Sequence, residues 1–169
     1  MRSTALARIP VGVLVERRKA KSAWVEFLWR PVSVFVGNAS AAPWTPFDTA
    51  PETSLFYAGQ AVIELHRTET VNYRNNLASG APALWVALRP ATSGRPYELI
   101  AVTADPAEGE AFTDAGSNLV ETVPMPADVV AAVAMFIAEH HVERPFLKRR
   151  RQPSEPALAS GRGRREKME

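Results

Sequence analysis

The chain has 169 residues, 46% hydrophobic and 22% charged, with a formal net charge of +2 and no cysteine. That is the composition of one globular domain with a hydrophobic core, and it excludes disulfides, thiolate zinc sites, iron–sulfur ligation and cysteine nucleophiles together. The charge is uneven: residues 143–169 carry nine Lys/Arg against four Asp/Glu, leaving eleven against fourteen in residues 1–142, so attraction to anions belongs to a basic tail and not to the mildly acidic body.

The opening MRSTALARIPVGVLVERRKA holds only a short apolar run and no small-residue cleavage site, so it reads as a strand and not as a signal peptide. No apolar run approaches the roughly 18 residues that would span a bilayer, and a cytoplasmic protein without a transmembrane segment is expected. From Ile9 to Arg18 the alternation predicts a strand with Ile9, Val11, Val13 and Val15 on one face. A polar turn follows, and Trp24 to Val36 returns as the second arm of an antiparallel hairpin, with a bulge or an edge position expected at Pro31. Gly37 to Thr53 is rich in Ala, Pro and Ser and predicts a loop, with Trp44 and Phe47 folding back onto the core.

Leu55 to His66 resumes strand character with a bend at Gly59. Thr68 is then placed as N-cap of a helix running to Ser79, with Glu69 in its first turn and Gly80 and Pro82 as the stop. Leu84 to Arg89 and Tyr97 to Thr103 form a second hairpin around RPATSGRP. Asp105, Pro106 and Glu108 have the spacing of a helix start, giving a short helix that ends near Gly116. Leu119 to Val123 adds an edge strand, and Pro126 opens the longest helix, to about His141, with Val129, Val133, Phe136, Ile137 and His140 along one stripe. Packing over the sheet is favoured for that helix over a partner contact. Beyond Val142 periodicity is lost, and residues past about Arg151 are expected to be disordered. These elements predict an α+β fold: a mainly antiparallel sheet of five or six strands with three helices in a single domain, residues 1–142, followed by a basic, mostly disordered tail, residues 143–169.

Ile63 to Pro90 holds strand, helix and strand in one block and most of the interior polar side chains. Glu64, His66, Arg67, Glu69, Tyr73 and Arg74 form the candidate recognition surface, with Arg67 and Arg74 suited to bidentate contact with carboxylates. Glu64 and Glu69 could also serve as an acid–base pair, but a buried ion-pair network is favoured. No catalytic residue is assigned, because there is no G-x-S-x-G elbow, no phosphate-binding glycine loop and no G-x-G-x-x-G between a strand and a helix. No metal or cofactor is expected either: His140 and His141 are adjacent and diverge on a helix, and read as cations near its C-terminus. The basic clusters, Lys148, Arg149, Arg150 and Arg151 above all, carry no interleaved aromatics, which argues against nucleic acid and for solvated charge, or for docking on an acidic protein surface or anionic lipid.

Over the blocks RIPVGVLVERRKA, FLWRPVSV, ELHRTETVNYRNNLASGAPALWVALRP, ADPAEGEAF and VPMPADVVAAVAMFIAEHHVERPFLKRRR, the chain resembles a bacterial family whose genes commonly neighbour those of molybdenum-dependent formate dehydrogenase. Some of that family's members are labelled as belonging to molybdopterin-guanine dinucleotide biosynthesis. The resemblance implies a non-catalytic accessory or interaction protein of formate dehydrogenase biogenesis or operation, whose partner is a formate dehydrogenase subunit or maturation factor. The alternative it implies is a small enzyme or cofactor-binding protein of molybdopterin metabolism.

Overall fold

In the computed structural model, which describes residues 4–141 apart from 93 and 115, the alternating N-terminal stretch forms β1 (Ala7–Lys19), with Val11, Val13 and Val15 fully buried. β2 (Phe27–Val36) runs antiparallel beside it. Leu14 faces Ser33 while Val15 faces Pro31, so Val32 is the extra residue of a bulge. Proline has no N–H to give to the ladder, which accounts for the irregularity expected there. β3 (Thr45–Thr49) and β4 (Thr53–Leu65) complete a sheet in the order β2-β1-β4-β3. A second antiparallel sheet, ordered β6-β5-β7, is built from β5 (Ala83–Pro90), β6 (Tyr97–Thr103) and β7 (Leu119–Pro124).

Among the described residues the fold is α+β and antiparallel with three helices, as expected. The strands there number seven, however, and divide into two sheets. The additional strand is β3, which lies in the stretch expected to be a loop: all five of its residues are exposed, and a strand with no buried face carries no alternation to detect. Trp44 packs on Trp29 and Phe56, with ring centroids 5.8 and 6.5 Å apart, but Phe47 is 68% exposed and anchors nothing. The bend expected in β4 is a bulge. Val13 faces Gly59 and Leu14 faces Tyr57, which leaves Ala58 over, and Gly59 has φ +135°, a conformation that favours glycine.

The two sheets share one core. Val11, Val13 and Val15 of β1, Ile63 and Leu65 of β4, Leu84, Val86 and Leu88 of β5 and Val102 of β6 belong to a single buried cluster. Along its flanks β4 lies beside β6 and β2 beside β7, with no backbone ladder between either pair among the described residues.

The helices close the core. α1 (Thr70–Leu77) is preceded by a 3-10 turn, Arg67–Glu69, and starts at Glu69 without a side-chain cap. Thr68 is therefore not the cap; its hydroxyl donates to Glu69 Oε1 at 3.3 Å. α2 (Pro106–Asp114) begins as its spacing predicts: the Asp105 carboxylate accepts from Ala107 N–H at 2.9 Å and its carbonyl from Gly109 N–H at 3.0 Å. α3 (Ala127–His140) buries Val129, Val133 and Phe136 in the common core. Its immediate neighbour is α1, through an edge contact between Tyr73 and Phe136 at 6.1 Å. Among the described residues no helix is long and apolar enough to cross a membrane.

Candidate functional site

Outward-facing residues of β4 and the facing strand β6 leave a groove of about 280 Å³ where the two sheets meet. Gln60, Val62 and Glu64 line one wall, Leu99, Ile100 and Thr103 the other, and Glu108 closes one side from the first turn of α2. Strand periodicity places the β4 side chains: Ile63 and Leu65 point into the core, so Val62 and Glu64 point out.

Glu64 stands on the rim. Its carboxylate lies 3.8 Å from Arg8 Nε, its antiparallel neighbour on β1, and 3.6 Å from His66 Nε2. The His66 Nδ1 lies 3.3 Å from the Thr4 hydroxyl, and the His66 backbone N–H donates to the Tyr73 hydroxyl at 2.9 Å. Tyr73 is only 1% exposed, so it is a post holding the end of β4 to α1 and not part of a surface. Burial pushes its pKa up to about 12; the His66 N–H bond opposes this, while Asp105, Glu108 and Glu69 add to it.

A testable consequence follows for Tyr73→Phe. Removing the hydroxyl leaves the His66 N–H without its acceptor, and about 1–2 kcal/mol of stability is expected to go with it. The wild-type protein should also lose stability in alkali that the variant does not. The folded state holds the phenolic proton more tightly than the unfolded chain, so this contribution is complete below pH 10 and lost as pH rises through about 12. Urea midpoints of the two proteins measured from pH 9 to 12 should converge.

On the other side of α1, Asn72 bridges two carboxylates, donating to Glu69 Oε2 at 3.1 Å and to Asp105 Oδ1 at 3.0 Å. Thr103 donates to Glu108 Oε2 at 3.3 Å and accepts from Asp105 N–H at 3.1 Å. Much of Glu108 reaches solvent, but its carboxyl end turns toward Thr103. Desolvation there raises its pKa; the Thr103 bond and His66 counteract this, and Asp105 and Glu64 reinforce it.

The structure thus joins Glu64, His66 and Tyr73, and ties Glu69 to α2 through Asn72. Glu64 and Glu69 do not form a buried ion-pair network: Glu64 is bound to β1 and Glu69 to Asn72. Arg67 is exposed in the 3-10 turn. Arg74 Nη1 lies 3.3 Å from His141 Nε2, and His141 Nδ1 lies 3.0 Å from the Thr70 hydroxyl. His141 therefore links the end of α3 to α1. Lys148, Arg149, Arg150 and Arg151 lie outside the described residues.

Three members of the site were missed: Thr103, Asp105 and Glu108. The latter two were read only as a helix start, and nothing local ties that start to Glu64, over forty residues earlier. Among the described residues no group of three or more His, Asp or Glu side chains is placed to hold a metal ion.

Residues 10–150 match the family described as "Protein of unknown function (DUF3305)". No curated protein and no solved structure matches the chain. The match covers most of the sequence, and the chain belongs to that family.

Proposed function

We propose that this member of the DUF3305 family is a non-catalytic accessory protein that recognises another protein through the groove between β4 and β6 and the polar rim around Glu64, His66 and Glu69. The observation that carries the proposal is the character of the groove: open, walled by two strands, with carboxylates of Glu64 and Glu108 at its edges. Such a surface suits an extended polypeptide bearing positive charge, because strand edges present backbone groups and carboxylates accept from Lys and Arg. The served protein we take to be molybdenum-dependent formate dehydrogenase or one of its maturation factors, on the strength of the resemblance described above.

Affinity capture with the full chain from its native host is expected to recover such a protein, and the charge reversal Glu64→Lys to reduce its recovery at least tenfold while leaving the chain folded. Deletion of the gene should lower formate-dependent activity. Recovery unaffected by the reversal, or unchanged formate-dependent activity on deletion, would count against the proposal. The alternative, binding of a molybdopterin compound or guanine nucleotide, would draw on the exposed guanidinium of Arg67; it predicts a rise in melting temperature with GTP at saturation.

A further inference from the structure

We propose that the groove between β4 and β6 is the docking site of this chain's own basic segment, Lys148–Arg151. The inference rests on the groove being a recognition face, and adds that the protein carries an occupant for it.

Charge is the first support. Residues 143–169 bear nine Lys/Arg and four Asp/Glu, whereas residues 1–142 bear eleven and fourteen, so tail and body attract one another. Within the body the groove concentrates the opposite sign: Glu64 and Glu108 face it, with Asp105 close behind Thr103. The basic side chains near Glu64, Arg8 and His66, stand off at 3.8 and 3.6 Å, longer than a tight charge-assisted bond, which leaves the carboxylate able to accept from an incoming guanidinium.

Position is the second. The described chain ends at His141, which is tied to Thr70 and Arg74 on α1. From the same helix the Tyr73 hydroxyl accepts from His66 N–H, two residues beyond Glu64. The tail therefore departs from α1, the helix whose Tyr73 holds the end of β4. Lys148 is seven positions beyond His141, and an extended chain of seven steps reaches about 23 Å, enough to pass over a helix of roughly 10 Å diameter.

Form is the third. The groove lies between two strands that no ladder joins among the described residues, which fits an extended segment. Val62 is 43% exposed beside Leu99 and Ile100, and the aliphatic stems of Lys and Arg can cover such apolar wall while their heads reach the carboxylates.

The absence of cysteine makes the test direct. In the full chain, Ser154→Cys provides one site for a nitroxide label, and amide signals of Val62 and Ile100 are expected to lose most of their intensity relative to the reduced label, while Trp24 in the β1–β2 turn does not. The loss should vanish in E64Q/E108Q, whose spectrum otherwise remains that of the folded protein, and in 1 M salt, where the screening length falls to about 3 Å. Full intensity at Val62 and Ile100, or a loss indifferent to E64Q/E108Q, would overturn the proposal. So would broadening of an unlabelled, isotope-enriched chain by a labelled one, which would assign the groove to a second copy. The experiment contains no partner protein, so a failed capture of a formate dehydrogenase component leaves its result standing.

Discussion

Asn76→Ala is expected to lower the unfolding free energy by about 3 kcal/mol, taking roughly 1 kcal/mol for each of three hydrogen bonds lost. Asn76 is 5% exposed on the inner face of α1. Its amide nitrogen donates to the carbonyls of Ala83 and Ala104 at 2.8 and 2.9 Å, and its amide oxygen accepts from Ala83 N–H at 3.0 Å. One side chain thus joins α1 to the start of β5 and to the residue that follows β6. Alanine leaves those backbone groups buried and unpaired. Asn76→Asp should be at least as damaging at neutral pH, because a carboxylate cannot donate to the two carbonyls. Urea unfolding measures both, with an unchanged denaturant slope showing that stability and not the compactness of either state has moved. A loss below about 1 kcal/mol would mean that water replaces the amide, contrary to the burial seen. Because α1 carries Thr70, Asn72 and Tyr73, loosening it should also weaken recognition at the groove.

Gly109→Ala is expected to destabilise by about 2 kcal/mol, although alanine is the better helix former by about 1 kcal/mol. α2 lies on the outer face of the second sheet, where a Cβ on Gly109 would stand 2.2 Å from Trp85 Cγ and 2.6 Å from Trp85 Cβ. The Cβ of Trp85 is fixed by the β5 backbone and no rotamer moves it, so helix or strand must shift. The shift would carry Glu108, the adjacent residue, away from Thr103 and the groove. Combining it with Trp85→Ala removes the indole contact, and the double variant should lose less than the sum of the single losses. Simple additivity in the calorimeter would show that the helix accommodates the methyl group without Trp85.

Much of the secondary structure and one edge of the site were legible from residue order. The alternation of Ile9 to Val15 announced β1 because Val11, Val13 and Val15 on one face are fully buried, and the Asp-Pro-x-Glu spacing announced α2 because capping is satisfied within four residues. The concentration of polar side chains from Glu64 to Arg74 marked the end of β4 where His66 meets Tyr73. What stayed hidden depends on the packing of distant segments. Thr45–Thr49 pairs along an exposed edge and so leaves no period; Tyr73 looks like a surface residue until α3 covers it. The contacts of His141 with Thr70 and Arg74 join residues some seventy positions apart.

The sequence by itself determined the α+β class, the antiparallel hairpins, the start of α2 and the separation of an acidic body from a basic tail, since propensity, periodicity and charge are local properties of the chain. Only the tertiary structure decided that the strands part into two sheets and that Glu64 and Glu108 face one groove. Those relations arise where the edges of β4 and β6 meet around a shared core, and a contact between residues over forty positions apart leaves no periodic trace in either segment.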